Sequence, residues 1–118
     1  MKFINSTALL ALSLFLNSGS AVANENQRLI ESAAGGDIIS QRDLGVNYLK
    51  GINGFEKNYP QAKKWLTSAV EKGDKPASHA LALMYTFGYG VNKDYRRAEQ
   101  LYKIADNAVE GADLLPVD

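Results

Sequence analysis

Residue types that most often perform chemistry are scarce in this chain of 118 residues. His79 is the single histidine and cysteine is absent, so the chain offers no multi-histidine metal site, thiolate nucleophile or disulfide. No serine is followed three positions later by lysine, and no Gly-x-Ser-x-Gly elbow occurs, so the common serine-nucleophile signatures are missing. These observations predict a protein that is not an enzyme and that holds no metal or cofactor.

Carboxylates and glycines also fail to form a recognisable site. Asp37, Asp43, Asp74 and Asp94 lack the spacing of a calcium loop, and no pair of carboxylates is nominated for acid–base catalysis. Gly88-Tyr89-Gly90 lacks the preceding strand and the third glycine of a dinucleotide-binding turn. The 13 basic and 13 acidic residues give a net charge of zero, whereas nucleic-acid binders normally have a basic excess. We therefore expect no nucleic-acid partner.

An internal repeat shows which elements would position any site. Leu44-Gly45-x-x-Tyr48-x-x-Gly51 recurs 37 positions later as Leu81-Ala82-x-x-Tyr85-x-x-Gly88. Further along, four pairs recur at 36 positions: Asn58 with Asp94, Ala62 with Ala98, Leu66 with Tyr102, and Ala69 with Ala105. The one-residue difference lies in the loop after the glycine, as expected of a repeated supersecondary unit.

Each unit is predicted to be a pair of helices. Ala77, Leu81 and Tyr85 share one helical face, and the later apolar residues of both units follow the spacing i, i+3, i+4, i+7. Gly51 and Gly88 stand where the first helices would end, since glycine accepts the left-handed conformation of a C-terminal cap. The second helices would begin at the capping side chains of Asn58 and Asp94, with Pro60 in the first turn.

These elements predict an all-α, α/α helical-repeat solenoid of about five helices. A leading helix, half a unit, lies in 24–36 and is followed by two full hairpins in units 37–73 and 74–111. The tail 111–118 folds back over the last hairpin or frays. Small residues such as Gly45 and Ala82 are expected where two helices approach closely. Four aromatic residues are expected to fill the space between hairpins: Tyr48, Trp65, Tyr85 and Tyr102.

This pattern resembles the Sel-one-like repeat (SLR) family, relatives of the tetratricopeptide repeat (TPR). The second unit carries the better match: Ala77-x-x-x-Leu81-Ala82-x-x-Tyr85-x-x-Gly88-x-Gly90-Val91-x-x-Asp94-x-x-x-Ala98-x-x-Leu101. Departures from the family pattern are Asn58 in place of aspartate, Ala82 in place of glycine, and the absence of tryptophan from the second unit. The resemblance covers Asp37 to Ala105 and implies an interaction scaffold or adaptor.

The first 23 residues have the pattern of an export signal. Lys2 gives a positive start, Ala8–Leu16 is a short, mainly apolar run, and Ala21-Val22-Ala23 has the A-x-A form that signal peptidase reads. The apolar run is less than half of the length that a membrane span needs. We therefore expect a signal peptide at 1–23, a mature domain at 24–118 in the periplasm or secreted, and no stable membrane insertion after cleavage.

The resemblance also implies a binding surface, because the first helix of each TPR-type hairpin lines the concave face. Fixed offsets from Gly45 and Ala82 select the inward positions. They are Arg42, Val46, Leu49, Lys50, His79, Leu83, Thr86 and Phe87. Such a surface suits an amphipathic or acidic segment of a partner, with Phe87 as the aromatic anchor. Its apolar members can equally be core residues. The basic pairs Lys63-Lys64 and Arg96-Arg97 are expected on a solvated outer face.

The function that this sequence favours is an exported protein-interaction module or adaptor that binds a partner peptide or protein on its concave face. One alternative is a periplasmic immunity or inhibitor protein that acts against a secreted toxin. A less favoured alternative is an envelope or cell-wall hydrolase, for which the sequence supplies no nucleophile motif. Self-association through the end hairpins is also open, because two units leave exposed ends.

Overall fold

The computed structural model describes residues 21–107, and these contain five α-helices and no strand. Helix α1 occupies 21–34, and it is followed by α2 (Ile38–Lys50), α3 (Tyr59–Glu71), α4 (Lys75–Phe87) and α5 (Tyr95–Asn107). Helices α2 and α3 form one hairpin, and α4 and α5 form the next. The predicted all-α helical-repeat fold is confirmed. Of the signal peptide predicted at 1–23, residues 21–23 form part of α1 and the rest fall outside the described residues, as does the tail 111–118.

The predicted helix caps are confirmed. The side chains of Asn58 and Asp94 accept hydrogen bonds from the backbone N–H groups of Gln61 and Arg97, at 3.0 and 2.9 Å. Helices α2 and α4 end at glycines in the left-handed conformation, Gly51 with φ 66° and Gly88 with φ 72°. Each of these glycines donates its N–H to a carbonyl four residues earlier, which satisfies one of the groups left open at a helix end.

Asp37 caps α2 in the same way and also has an altered acidity. The Ser40 hydroxyl donates to its Oδ2 at 2.6 Å, and the Ser40 backbone N–H donates to the same oxygen at 2.8 Å. These hydrogen bonds stabilise the charged carboxylate, and they hold the pKa of Asp37 below its usual value. Protonation at low pH would therefore weaken the start of α2.

The core runs through both hairpins and the space between them, with buried side chains from α2, α3, α4 and α5. Its fully buried side chains include Leu66 of α3, Leu81 of α4 and Leu101 of α5. Gly45 of α2 shows how closely the helices approach, since an added Cβ would lie 2.7 Å from Leu66 Cγ. Small residues complete the interface: Ala62, Ala69, Ala77, Ala82 and Ala98 are all buried. The close helix contacts predicted from the repeat pattern are therefore present.

The aromatic residues divide into two groups. Tyr48, Tyr85 and Tyr102 are partly buried and pack against the core. Trp65 is also partly buried but is not part of that packing. Its indole N–H donates to Gln61 Oε1 at 3.2 Å, and the Lys64 ammonium lies 4.8 Å from its ring centroid. The single tryptophan thus has local polar partners rather than a place in the core.

Polar side chains connect the helices at two buried points. Gln41 donates to the carbonyl oxygen of Ala33 at 3.0 Å, which joins α1 to α2, and it accepts a hydrogen bond at 3.3 Å from Lys72, the residue that follows α3. Ser78 is fully buried in α4 and donates to the carbonyl oxygen of Leu101 at 2.7 Å. Because these buried polar groups are hydrogen-bonded, their burial costs little folding free energy, and the bonds fix how neighbouring helices align. None of the described helices is long and apolar enough to cross a membrane.

Candidate functional site

A surface cavity of about 400 Å³ lies beside the C-terminal ends of α2 and α4. Its walls also come from the segment before α3, the first residue of α3 and the loop after α4. We call it the aromatic groove and define it by its lining residues: Leu49, Lys50, Lys57, Tyr59, Leu83 and Tyr89. Two other cavities, of about 450 and 520 Å³, have no aromatic lining residue.

Two close contacts position the tyrosines of the groove, one within the first unit and one between the two units. The Asn58 N–H donates to the Tyr48 carbonyl at 2.8 Å, which holds the start of α3 against the end of α2. In the next unit, Gly90 lies directly against Tyr59, because an added Cβ would overlap the Tyr59 side chain. Only glycine fits at this contact, and it brings the loop that carries Tyr89 onto the first residue of α3.

Three aromatic rings stand in a row along this part of the surface. The Tyr59 and Tyr89 rings are stacked with centroids 5.4 Å apart and planes 15° apart. Phe87 continues the row, since its ring centroid lies 5.6 Å from that of Tyr89. Phe87 is 53% exposed and Tyr89 is 38% exposed. Large apolar rings that stay exposed together are characteristic of surfaces that bind another molecule.

The charges of the aromatic groove have one sign. Lys50 and Lys57 are both exposed, and the Lys57 ammonium lies 5.9 Å from the centroid of the Tyr59 ring. No carboxylate is among the lining residues. The ion pairs found among residues 21–107 join Arg42 to Asp43 and Asp74, and Lys103 to Glu99, so neither groove lysine takes part in them. The groove therefore combines an apolar floor with a positive rim.

Four of the eight residues predicted for partner binding meet at the aromatic groove. Leu49, Lys50 and Leu83 line it directly. Phe87 extends it through its contact with Tyr89. Leu49 is 9% exposed and belongs to the core as well as to the groove floor, whereas Leu83 is partly buried and lines the groove.

The other four lie elsewhere. Arg42 pairs with Asp74 at 3.2 Å, and Val46 packs against the core and lines the separate cavity between α1 and α2. His79 and Thr86 both approach Tyr102 of α5. The two rings are 5.2 Å apart between centroids, and the hydroxyl oxygens of Thr86 and Tyr102 are 3.4 Å apart. The same offsets on α2 and α4 therefore selected residues in several different surroundings.

Lys57, Tyr59 and Tyr89 line the groove but were not among the residues predicted from the sequence. All three lie outside or at the edge of the helices whose periodicity supported that prediction. The sequence did contain one indication of this site, the tyrosine between Gly88 and Gly90. An aromatic residue in a tight loop has few ways to be buried within its own unit, so it is a candidate for contact with another unit or a partner.

Arg42 and Lys50 are expected to differ in their effect on stability. Arg42→Glu would place a carboxylate beside Asp74, whose own side chain caps α4 through the Ala77 N–H. We expect the free energy of unfolding to fall by about 2 kcal/mol, since a partly buried charged hydrogen bond is lost. Lys50→Glu removes no ion pair found in the described residues. It should lower the free energy of unfolding by less than about 1 kcal/mol, because a negative charge in the last turn of α2 interacts unfavourably with the helix dipole. Urea unfolding of both variants measures this, and equal losses would contradict it.

The described residues contain no cluster of three or more histidine and carboxylate side chains that could hold a metal ion. The basic pairs Lys63-Lys64 and Arg96-Arg97 are exposed on α3 and α5. The aromatic groove offers rings, aliphatic side chains and ammonium groups, which can bind a ligand by packing and charge.

Comparisons with known proteins agree with this architecture. The Sel1 repeat profile matches residues 38–74 and 75–105. A crystal structure of a Sel1 repeat protein from Oxalobacter formigenes is similar, with a TM-score of 0.62 and 37% sequence identity. That match covers 71% of this chain and 62% of the other chain, so this chain spans less than two thirds of that protein. No curated protein matches the chain. Two adjacent repeat matches over more than half of the sequence, on helical hairpins of the same fold, show that the chain belongs to the Sel1 repeat family.

Proposed function

We propose that this chain is an exported interaction module that holds a segment of a partner protein in the aromatic groove. Sel1 repeat proteins are generally protein–protein interaction modules, which supports the class of function. Export is supported by the signal pattern at 1–23, and cleavage after Ala23 would leave a chain that begins at Asn24. Such a chain would keep the hydrogen bond between Ala33 and Gln41 that joins α1 to α2.

The observation that carries this proposal is the row of three rings, two of them exposed, beside lysines that take part in no ion pair found in the described structure. Tyr59, Tyr89 and Phe87 stack on one another and still leave Phe87 more than half exposed. Stacking fixes the rings before a partner arrives, so little side-chain entropy is lost on binding. Tyrosine is also among the residues that contribute most to protein interfaces. A rigid aromatic surface with an adjacent cavity is therefore well suited to a protein ligand.

Site-specific crosslinking in host cells tests the proposal. A photoreactive phenylalanine analogue replaces Tyr89 in the groove, and a control chain carries it at Tyr95, which is 67% exposed and outside the groove. We expect a discrete adduct only from position 89, with a chain that begins at Asn24 in mass spectra. For the purified partner, Leu83→Asp should weaken binding at least about 30-fold, the size of an interface hot spot.

Two results would contradict the proposal. Equal adducts from positions 89 and 95 would show that the groove has no special role. An adduct in the cytoplasmic fraction with Met1 or Lys2 at its N-terminus would contradict export.

A further inference from the structure

We infer that the aromatic groove recognises a short extended peptide segment in which aliphatic residues and proline are flanked by carboxylates. This inference rests on the proposed function and specifies the chemistry of the partner. Three features of the groove support it: the charge at the rim, the shape of the aromatic row and the size of the cavity.

The rim selects the charge of the segment. Lys50 and Lys57 approach the groove from two elements, the end of α2 and the segment before α3, and no carboxylate lines the groove between them. A partner carboxylate would supply the opposite charge that both ammonium groups lack within residues 21–107. A basic segment would meet like charges, and repulsion of this kind excludes wrong partners.

The floor and the aromatic row select the centre of the segment. Leu49 and Leu83 form an apolar floor, and the planes of Tyr59 and Tyr89 differ by only 15°. Rings stacked in this way present a line of aromatic edges, and aromatic-lined surfaces are those on which polyproline-type segments dock. A cavity of about 400 Å³ lies near the lower end of the range for ligand sites, which suits a few residues of extended chain.

A segment of this composition also occurs in the chain itself, where residues 113–118 read Asp-Leu-Leu-Pro-Val-Asp. These residues lie outside the described structure. A fluorescent peptide with the same sequence, acetylated and amidated at its ends, is therefore the natural acidic probe. Its asparagine and lysine analogues, with both aspartates replaced, keep the apolar centre and change only the charge.

Fluorescence anisotropy with the full chain from Asn24 measures the preference. We expect the acidic probe to bind at least ten-fold more tightly than the asparagine analogue, with no binding of the lysine analogue. Affinity for the acidic probe should fall as salt rises from about 50 to 500 mM, because exposed charges are screened. The variant Lys50→Glu/Lys57→Glu should reverse the order and prefer the lysine analogue. A merely structural role of these lysines would not produce such a reversal.

A control variant, Lys63→Glu/Arg96→Glu, makes the same change in net charge at exposed positions outside the groove. It should keep the original preference. Equal binding of the three probes, or reversal in the control variant, would overturn the inference. So would binding that is detected only after residues 113–118 are deleted, since the groove would then belong to the chain's own segment. Specific crosslinking from position 89 would still stand after any of these results, so the proposed function is tested separately.

Discussion

Replacing Gly45 by leucine is expected to lower the free energy of unfolding by about 2–3 kcal/mol, the upper part of the range for overpacked cores. The physical reason is the contact between α2 and α3. A Cβ at position 45 would lie 2.7 Å from Leu66 Cγ and 3.1 Å from the Leu66 backbone nitrogen, so both the side chain and the helix behind it obstruct a larger residue. Urea unfolding followed by circular dichroism measures the loss.

A milder variant keeps this prediction testable if Gly45→Leu does not fold. Gly45→Ala should gain about 1 kcal/mol in an unpacked helix, because alanine has the higher helix propensity. In this chain the same methyl group meets Leu66, so we expect no gain. Lys63→Leu, at an exposed position of α3, is the control for a new leucine and should change stability by less than about 0.5 kcal/mol. A stabilised Gly45→Ala variant would show that α2 and α3 are not in close contact there.

The same contact explains why the fold could be predicted from the sequence. Close packing of two helices requires small residues at regular spacing. Gly45 and Ala82 occupy equivalent positions in the first helices of the two units, and buried alanines occupy equivalent positions in the second helices. Helix ends are also set locally, since a capping side chain such as Asn58 bonds to a backbone group three residues away. Both signals depend on neighbours along the chain, so both are visible in the amino-acid sequence.

The candidate site could be predicted only in part, because half of it depends on contacts between units. Leu49 and Leu83 were found from their helical offsets, and they line the groove. The same offsets selected Arg42, but Asp74 of the next unit holds that side chain in an ion pair. Tyr89 was missed because its position depends on Gly90 lying against Tyr59. No periodicity within a helix reports on such a contact.

Trp65 illustrates a different limit of the repeat pattern. A family pattern places a tryptophan at this position and suggests that it fills the space between hairpins. In this chain the ring bonds to Gln61 and lies under the Lys64 ammonium, outside the core packing. The repeat pattern therefore gives the position of Trp65 within its unit. How far the side chain is buried depends instead on the neighbouring residues of this sequence.

A second large effect is expected when the residue opposite Gly45 is made smaller. Leu66 is fully buried, so Leu66→Ala alone should cost about 2–5 kcal/mol through the cavity that it leaves. In the double variant Gly45→Leu/Leu66→Ala, the new leucine on α2 can occupy the space vacated on α3. The combined loss should therefore be smaller than the sum of the single losses by at least about 1 kcal/mol, which is typical of residues in contact.

The four unfolding free energies of the wild type, the two single variants and the double variant form a double-mutant cycle. A second cycle, in which Gly45→Leu is combined with Leu101→Ala, serves as the control for this coupling. Leu101 is also buried, with 1% exposure, but it belongs to α5 of the other hairpin and is not among the atoms that an added Cβ at position 45 would meet. Its losses should add to those of Gly45→Leu within about 0.5 kcal/mol. Unfolding free energies of all single and double variants give both couplings. Additive losses in the Gly45/Leu66 cycle would mean that the two side chains do not share one space, and the pairing of α2 with α3 inferred from the repeat would then be misplaced.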